Sequence, residues 1–150
     1  NPVIISPKSL EKNGIKWADT YANSITVGTG QFCTNPGLII AVDSPHLEEF
    51  TKKIAEKIVQ IEPTVMLHPA IKDAFNRHKT DVQNQEGVQL LTKGIETKEN
   101  YAEQAIATVS GEQFLTNPQL HQEVFGPFSI VVKCKNQDQL LALFQILKAN

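Results

Sequence analysis

Apolar residues along this chain fall into two habits, short unbroken runs and helical spacings, and the two alternate. "VII" at 3–5 is a short apolar run suited to a buried strand, and Pro7 ends it. From Ser9 to about Thr26, Ala18, Tyr21, Ala22 and Ile25 recur at helical spacing with Trp17 nearby, and Gly14 weakens that helix only slightly. Gly28 and Gly30 then break the pattern. "LIIAV" at 38–42 predicts a second buried strand after the turn-like Asn35-Pro36-Gly37. Ser44 and Pro45 suit an N-cap and first helical position, and Leu47, Phe50, Ile54, Ile58 and Ile61 follow one helical face until Pro63.

A further helix is predicted to open at Pro69, with Ile71, Ala74, Phe75 and His78 on one side. "GVQLL" (87–91), "QAIATVS" (104–110) and "FSIVVKC" (128–134) predict strands, the last buried on both faces. Asn136 suits the N-cap of a final helix carrying Leu140, Leu143, Phe144 and Leu147. Strands alternating with helices predict the α/β class: a mainly parallel, Rossmann-like sheet with helices on both faces. The polar stretch 79–103 has few apolar anchors and predicts irregular structure.

Composition narrows the class of partner. The 150 residues suffice for one domain with its own core, and 41% hydrophobic with 20% charged residues marks a globular chain. A formal charge of −2 and the lack of a basic stripe argue against nucleic acid and anionic membrane as partners. No apolar run approaches the length of a membrane span. Two cysteines, Cys33 and Cys134, are too few and too scattered for a disulfide scaffold, so a reducing, cytoplasmic setting is expected. The chain opens at Asn1-Pro2 on a strand and stops just after a helix, which predicts an excerpt of a longer protein.

Few residues invite chemistry. Gly28, Gly30 and Gly37 fit neither the dinucleotide fingerprint nor a phosphate loop; ending a helix is their simpler role. His46, His68, His78 and His121 lack zinc-like spacing and are expected as exposed surface residues, with no metal site. Cys134 ends an apolar strand and is expected in the core. Cys33 leaves two readings open: a buried small hydrophobe, or a nucleophile in a crossover loop among Gln31, Thr34 and Asn35. No basic residue stands within five positions of it, so activation would come from elsewhere. "HQEVFGPFSIVV" (121–132) places a carboxylate and an aromatic before Gly-Pro and a strand, either as an ordinary turn or as part of a site.

"GQFCTNPG" resembles the cysteine motif of aldehyde dehydrogenases, and "QEVFGPFSIVV" resembles that superfamily's second signature. They occur in the superfamily's order, with Cys33 and Glu123 90 positions apart. "NPVII" resembles the strand that follows the Glu-Leu-Gly segment bearing the family's general base. The resemblance covers essentially the whole chain and implies the catalytic-domain fold of that family. The wording "GQFCTNPGLIIA" is most similar to the branch acting on 2-oxoglutarate semialdehyde (2,5-dioxopentanoate) and fatty aldehydes, often with NADP.

The resemblance implies that Cys33 is the nucleophile, forming a thiohemiacetal and then a thioester, with its backbone N–H as one oxyanion donor. It implies that Glu123 accepts hydrogen bonds from the ribose on the nicotinamide side of NAD or NADP, and that Phe125 packs near the ring. Phe32 and Thr34 would shape the aldehyde pocket. Residues 1–150 would then be a partial catalytic domain, with the dinucleotide-binding domain, the general base and a second oxyanion donor outside the chain. Such a fragment is expected to be inactive alone, and its parent to be a homo-oligomer acting on a small aldehyde. Two other readings stay open: a non-catalytic thiol-bearing α/β interaction module, and a sibling reductase or acylating enzyme using the same cysteine.

Overall fold

The computed structural model describes residues 1–94 and 97–149. Their strands are β1 (Pro2–Ile5), β2 (Leu38–Val42), β3 (Thr64–Val65), β4 (Gln89–Leu90), β5 (Tyr101–Ala102), β6 (Ala105–Ser110) and β7 (Phe128–Cys134). The helices are α1 (Pro7–Thr26), α2 (Pro45–Ile58), α3 (Pro69–Gln83), α4 (Gly111–Thr116) and α5 (Gln137–Ala149). One five-stranded sheet runs β1-β2-β7-β6-β4, and β3 pairs separately with β5. The first four strands are parallel to one another and β4 is antiparallel to β6, so the mainly parallel α/β sheet expected from the sequence is present.

Alternation on the central strands builds two cores. Ile39 and Ala41 of β2, Ile106 of β6 and Val131 of β7 meet Leu10, Ala18, Ala22 and Ile25 of α1 and Phe50, Ile54 and Ile58 of α2. Ile40, Ala105, Ala107, Ile130 and Val132 point the other way, toward Phe75 of α3, Phe114 of α4 and Leu143 of α5. Because β2, β6 and β7 are covered on both sides, their sequences are continuous apolar runs rather than strict alternations. Helices thus lie on both faces, as predicted.

Local signals explain where the helices begin. Ser6 Oγ accepts from Ser9 N at 3.3 Å, Ser44 Oγ from Leu47 N at 3.1 Å, and Ser110 Oγ from Gln113 N at 3.2 Å. Asn136 Oδ1 accepts from Gln139 N at 2.9 Å, the cap expected for the last helix. Buried Gln104 donates through Nε2 to the carbonyls of Ile58 and Ile61, satisfying the C-terminal end of α2.

The stretch 79–103 is more ordered than its composition suggests. α3 continues to Gln83, and β4 and β5 follow; residues 95 and 96 lie outside the described residues. Lys79 is buried there, its Nζ 2.9 Å from Glu103 Oε2 and 5.2 Å from the Phe75 ring centroid. This ion pair, a polar anchor invisible to an apolar pattern, ties α3 to the approach of β6. It also fixes Phe75, which reaches the site described next.

Candidate functional site

Two loops meet at one end of the sheet. The first leaves α1 through three consecutive left-handed residues, Gly28 (φ 57°), Thr29 (φ 57°) and Gly30 (φ 65°). Thr29 is buried in that uncommon conformation, and its hydroxyl reaches Thr64 Oγ1 at 2.7 Å and the Val65 carbonyl at 3.0 Å. Gln31 braces the next step: its Nε2 donates to Gly28 O at 2.9 Å, and its Oε1 accepts from Leu67 N at 3.0 Å.

The thiol follows at a tight turn. Asn35 N donates to Phe32 O at 3.0 Å, so Cys33 and Thr34 occupy the two corner positions of a four-residue turn. Cys33 is exposed, which excludes its reading as a buried small hydrophobe. Its carbonyl accepts from Asn1 Nδ2, and no hydrogen bond reaches its Sγ among the described residues. The loop then joins the sheet: Pro36 O accepts from buried Ser129 Oγ at 2.7 Å, and Gly37 O from Ile130 N at 3.0 Å.

The second loop follows the 3₁₀ turn Pro118–His121 and ends in β7. Here the sequence-based expectation needs correction. His121 is half-buried, its ring 4.7 Å from Phe114 and its Nε2 2.6 Å from Phe114 O. His78 is also half-buried, whereas His46 and His68 are exposed. His68 serves as an N-cap, its Nδ1 accepting from Ala70 N at 3.1 Å. Among the described residues no cluster of His, Cys, Asp and Glu could hold a metal ion, and no helix is long and apolar enough to cross a membrane. Glu123 is exposed, and Phe125 keeps 38% of its surface in solvent.

The loops touch through glycines. A Cβ placed on Gly30 would lie 2.3 Å from the carbonyl carbon and oxygen of Gly126 and 2.5 Å from Pro127 N. A Cβ on Gly126 would lie 2.3 Å from the Phe75 ring. Asn35 Nδ2 bridges the same junction, donating to Gly30 O at 2.9 Å and Gly126 O at 2.8 Å. Beside the junction opens a cavity of about 240 Å³ lined by Phe32, Asn35, Glu123 and Phe125 from the loops and by Leu38, Ile130 and Leu147 from the sheet and α5, among others. The residues flanking the thiol therefore share a wall with the carboxylate and the aromatic. Cys33 itself is not part of that lining.

Sequence reasoning placed Asn35 only as a turn residue and missed its bridging role, because its partners lie 5 and 91 positions away. Cys134 is buried in β7, as expected, and burial pushes its thiol up to about 11. The two cysteines are thus chemically unequal. Iodoacetamide at neutral pH should label one cysteine per folded chain, Cys33, and both only in denaturant; peptide mass mapping that finds Cys134 labelled in the folded protein would contradict this.

Comparison with known proteins bears on these loops. The profile of the "Aldehyde dehydrogenase family" matches residues 1–145. The chain is 34% identical over 149 residues to an alpha-ketoglutaric semialdehyde dehydrogenase 2 of Azospirillum brasilense, a match covering 99% of this chain and 28% of that protein. It is 33% identical to an alpha-ketoglutaric semialdehyde dehydrogenase of Acinetobacter baylyi, covering 94% of this chain and 27% of the relative. The chain therefore spans little more than a quarter of the length of either. Among solved structures it superposes on betaine aldehyde dehydrogenase from Staphylococcus aureus in complex with NAD+ (TM-score 0.75, 18% identity, 95% of this chain and 30% of that one). A NAD-dependent benzaldehyde dehydrogenase from Corynebacterium glutamicum gives TM-score 0.74 at 16% identity, covering 95% of this chain and 31% of the other. At these identities the structural likeness speaks for the fold.

Proposed function

The chain belongs to the aldehyde dehydrogenase family, and on that premise we propose that it is the thiol-bearing part of the catalytic domain of an NAD(P)-dependent enzyme oxidising an aldehyde to a carboxylate. The observation that carries this reading is the junction itself. The Cys33 turn and the Glu123–Phe125 loop, remote in sequence, pack glycine against glycine around one cavity. The substrate class proposed is a short semialdehyde such as that of 2-oxoglutarate, supported by the names of the two curated relatives.

Cys33 Sγ, as thiolate, adds to the aldehyde carbon, and the carbonyl electrons move to oxygen. The backbone N–H of Cys33 donates to that oxyanion; a single such donor contributes roughly 3–4 kcal/mol of transition-state stabilisation. Loss of hydride from the adduct leaves a thioester on Sγ, which water opens to the carboxylate and the free thiol. The residues present fit the nicotinamide half of a cofactor: an exposed carboxylate at Glu123, an exposed ring face at Phe125, and a cavity between them and the thiol turn. When bound, that group supplies the hydride acceptor. Glu123 would hold its ribose hydroxyls, and Phe125 would keep the ring over the cavity and limit water around the adduct.

With no carboxylate or imidazole bonded to the thiol among the described residues, this reading takes the general base and the adenine-binding sheet from segments beyond these 150 residues. Two assays test it. The native polypeptide carrying this sequence should reduce NAD+ or NADP+ in the presence of 2-oxoglutarate semialdehyde. The 150-residue polypeptide alone should turn over at least about 10³-fold more slowly, because a nucleophile separated from its partners retains little activity. Cofactor reduction by neither protein, with any short aldehyde, overturns the proposal.

A further inference from the structure

Among the described residues, Asn35 is the side chain that bonds to both loops of the junction. We propose that it is a positioning residue that sets where the Cys33 turn stands relative to the Glu123–Phe125 loop; its consequence for turnover rests on the function proposed above. A primary amide has two protons on one nitrogen, and Asn35 spends both on backbone carbonyls. One goes to Gly30, three residues before the thiol, and the other to Gly126, next to Phe125. The same residue closes the turn that holds Cys33, through Asn35 N and Phe32 O at 3.0 Å. A displacement of Asn35 therefore rotates the Cys33 peptide, including the N–H assigned to the oxyanion.

The amide has one orientation. Its Oδ1 is buried without a hydrogen-bond partner, and rotating the group would turn that oxygen onto the carbonyls of Gly30 and Gly126. The double donation holds despite an unpaired acceptor, so the bridge fixes the loops at one separation. Gly30 and Gly126 bring the backbones close enough for a side chain this short to span both.

Asn35→Ala and Asn35→Asp, made in the native polypeptide, separate positioning from space-filling. Aspartate has the shape of asparagine but sets a carboxylate oxygen against two carbonyl oxygens, whereas alanine only removes the donors. A space-filling role makes Asp the milder change; a donating role makes it the worse. Expected losses in kcat, per thiol titrated, are about 10-fold for Ala and about 100-fold for Asp, the scale of an ångström-size misplacement. Combined with Glu123→Gln, Asn35→Ala should give less than the product of the single losses, because both act on one alignment. An Asp variant milder than Ala, losses that multiply, or Ala kcat within about twofold of wild type overturns the inference.

Should the Asp variant fail to fold, the Ala variant decides alone by the same criterion. Should the wild-type protein oxidise no aldehyde, the proposed function fails while the positioning claim is still read from the thiol. The iodoacetamide rate at Cys33 should then differ at least about fivefold between wild type and Asn35→Ala, with buried Cys134 as the unreactive reference. An unchanged rate overturns the inference.

Discussion

On the function proposed above, Cys33→Ala should lower aldehyde oxidation by the native polypeptide about 10³-fold or more, with little change in thermal stability. Both halves of that expectation come from the same geometry. Cys33 is exposed at the corner of a turn and its Sγ bonds to nothing among the described residues, so its removal leaves no cavity and no stranded partner. Loss of the sulfur proposed to attack the aldehyde, by contrast, would delete the covalent step and leave only background rates. Cys134→Ala is the internal control, since Cys134 lies in the core beneath α5 and should affect the melting temperature but not kcat. Steady-state kinetics and a thermal melt on the two variants check this. Near-normal kcat in Cys33→Ala rejects the nucleophile assignment.

Gly30→Ala destabilises the fold by about 3 kcal/mol, combining a left-handed backbone position with overpacking. The added methyl would stand 2.3 Å from the Gly126 carbonyl, and backbone cannot yield as a flexible side-chain end would. In a domain of this size such a change lowers the melting temperature by roughly 10 °C. Gly37→Ala in the same loop has no atom within 4 Å of the new methyl and should stay within about 0.5 kcal/mol of wild type. Equal melting temperatures for the two variants would show that the loops do not pack glycine on glycine. Activity should fall with Gly30→Ala even below its melting point, because relieving the clash separates Cys33 from Glu123.

How far the fold was legible depended on which physical signal each element used. β2 and β7 were visible as apolar runs because a strand buried on both faces has no polar side to show. α1 was visible through periodicity alone, its Ser6 cap and Pro7 start being read as the end of β1, and α2 through periodicity with a capping serine and a proline at its start. The two-residue strands β3 and β5 were not, since their pairing is a long-range event with no local pattern. α4 was missed for its brevity, six residues being too few for a period to repeat. At the site, motif wording pointed to Cys33, Glu123 and Phe125. The bridge through Asn35 and the close approach at Gly30 depend on residues 91 and more positions away, and no local reading reaches them.

The sheet order also decides when the site can come into being. β7 is inserted between β2 and β6, so the strand made last of the five lies in the middle of the sheet. β2 finds its central neighbour only after α2, α3 and β6 have been synthesised, and closing so long a loop slows that pairing. Until then one edge of β2 is unpaired and Ile40 lacks its later-made neighbours, whereas Ile39 and Ala41 already have α1 and α2 to pack on. Asn35 cannot bond to Gly126 before the loop leading into β7 is in place, so the bridge that braces the thiol turn forms only with that insertion. On the ribosome, a chain made only as far as β6 would carry the exposed Cys33 thiol beside an unpaired strand edge, the stage at which chaperone protection counts most.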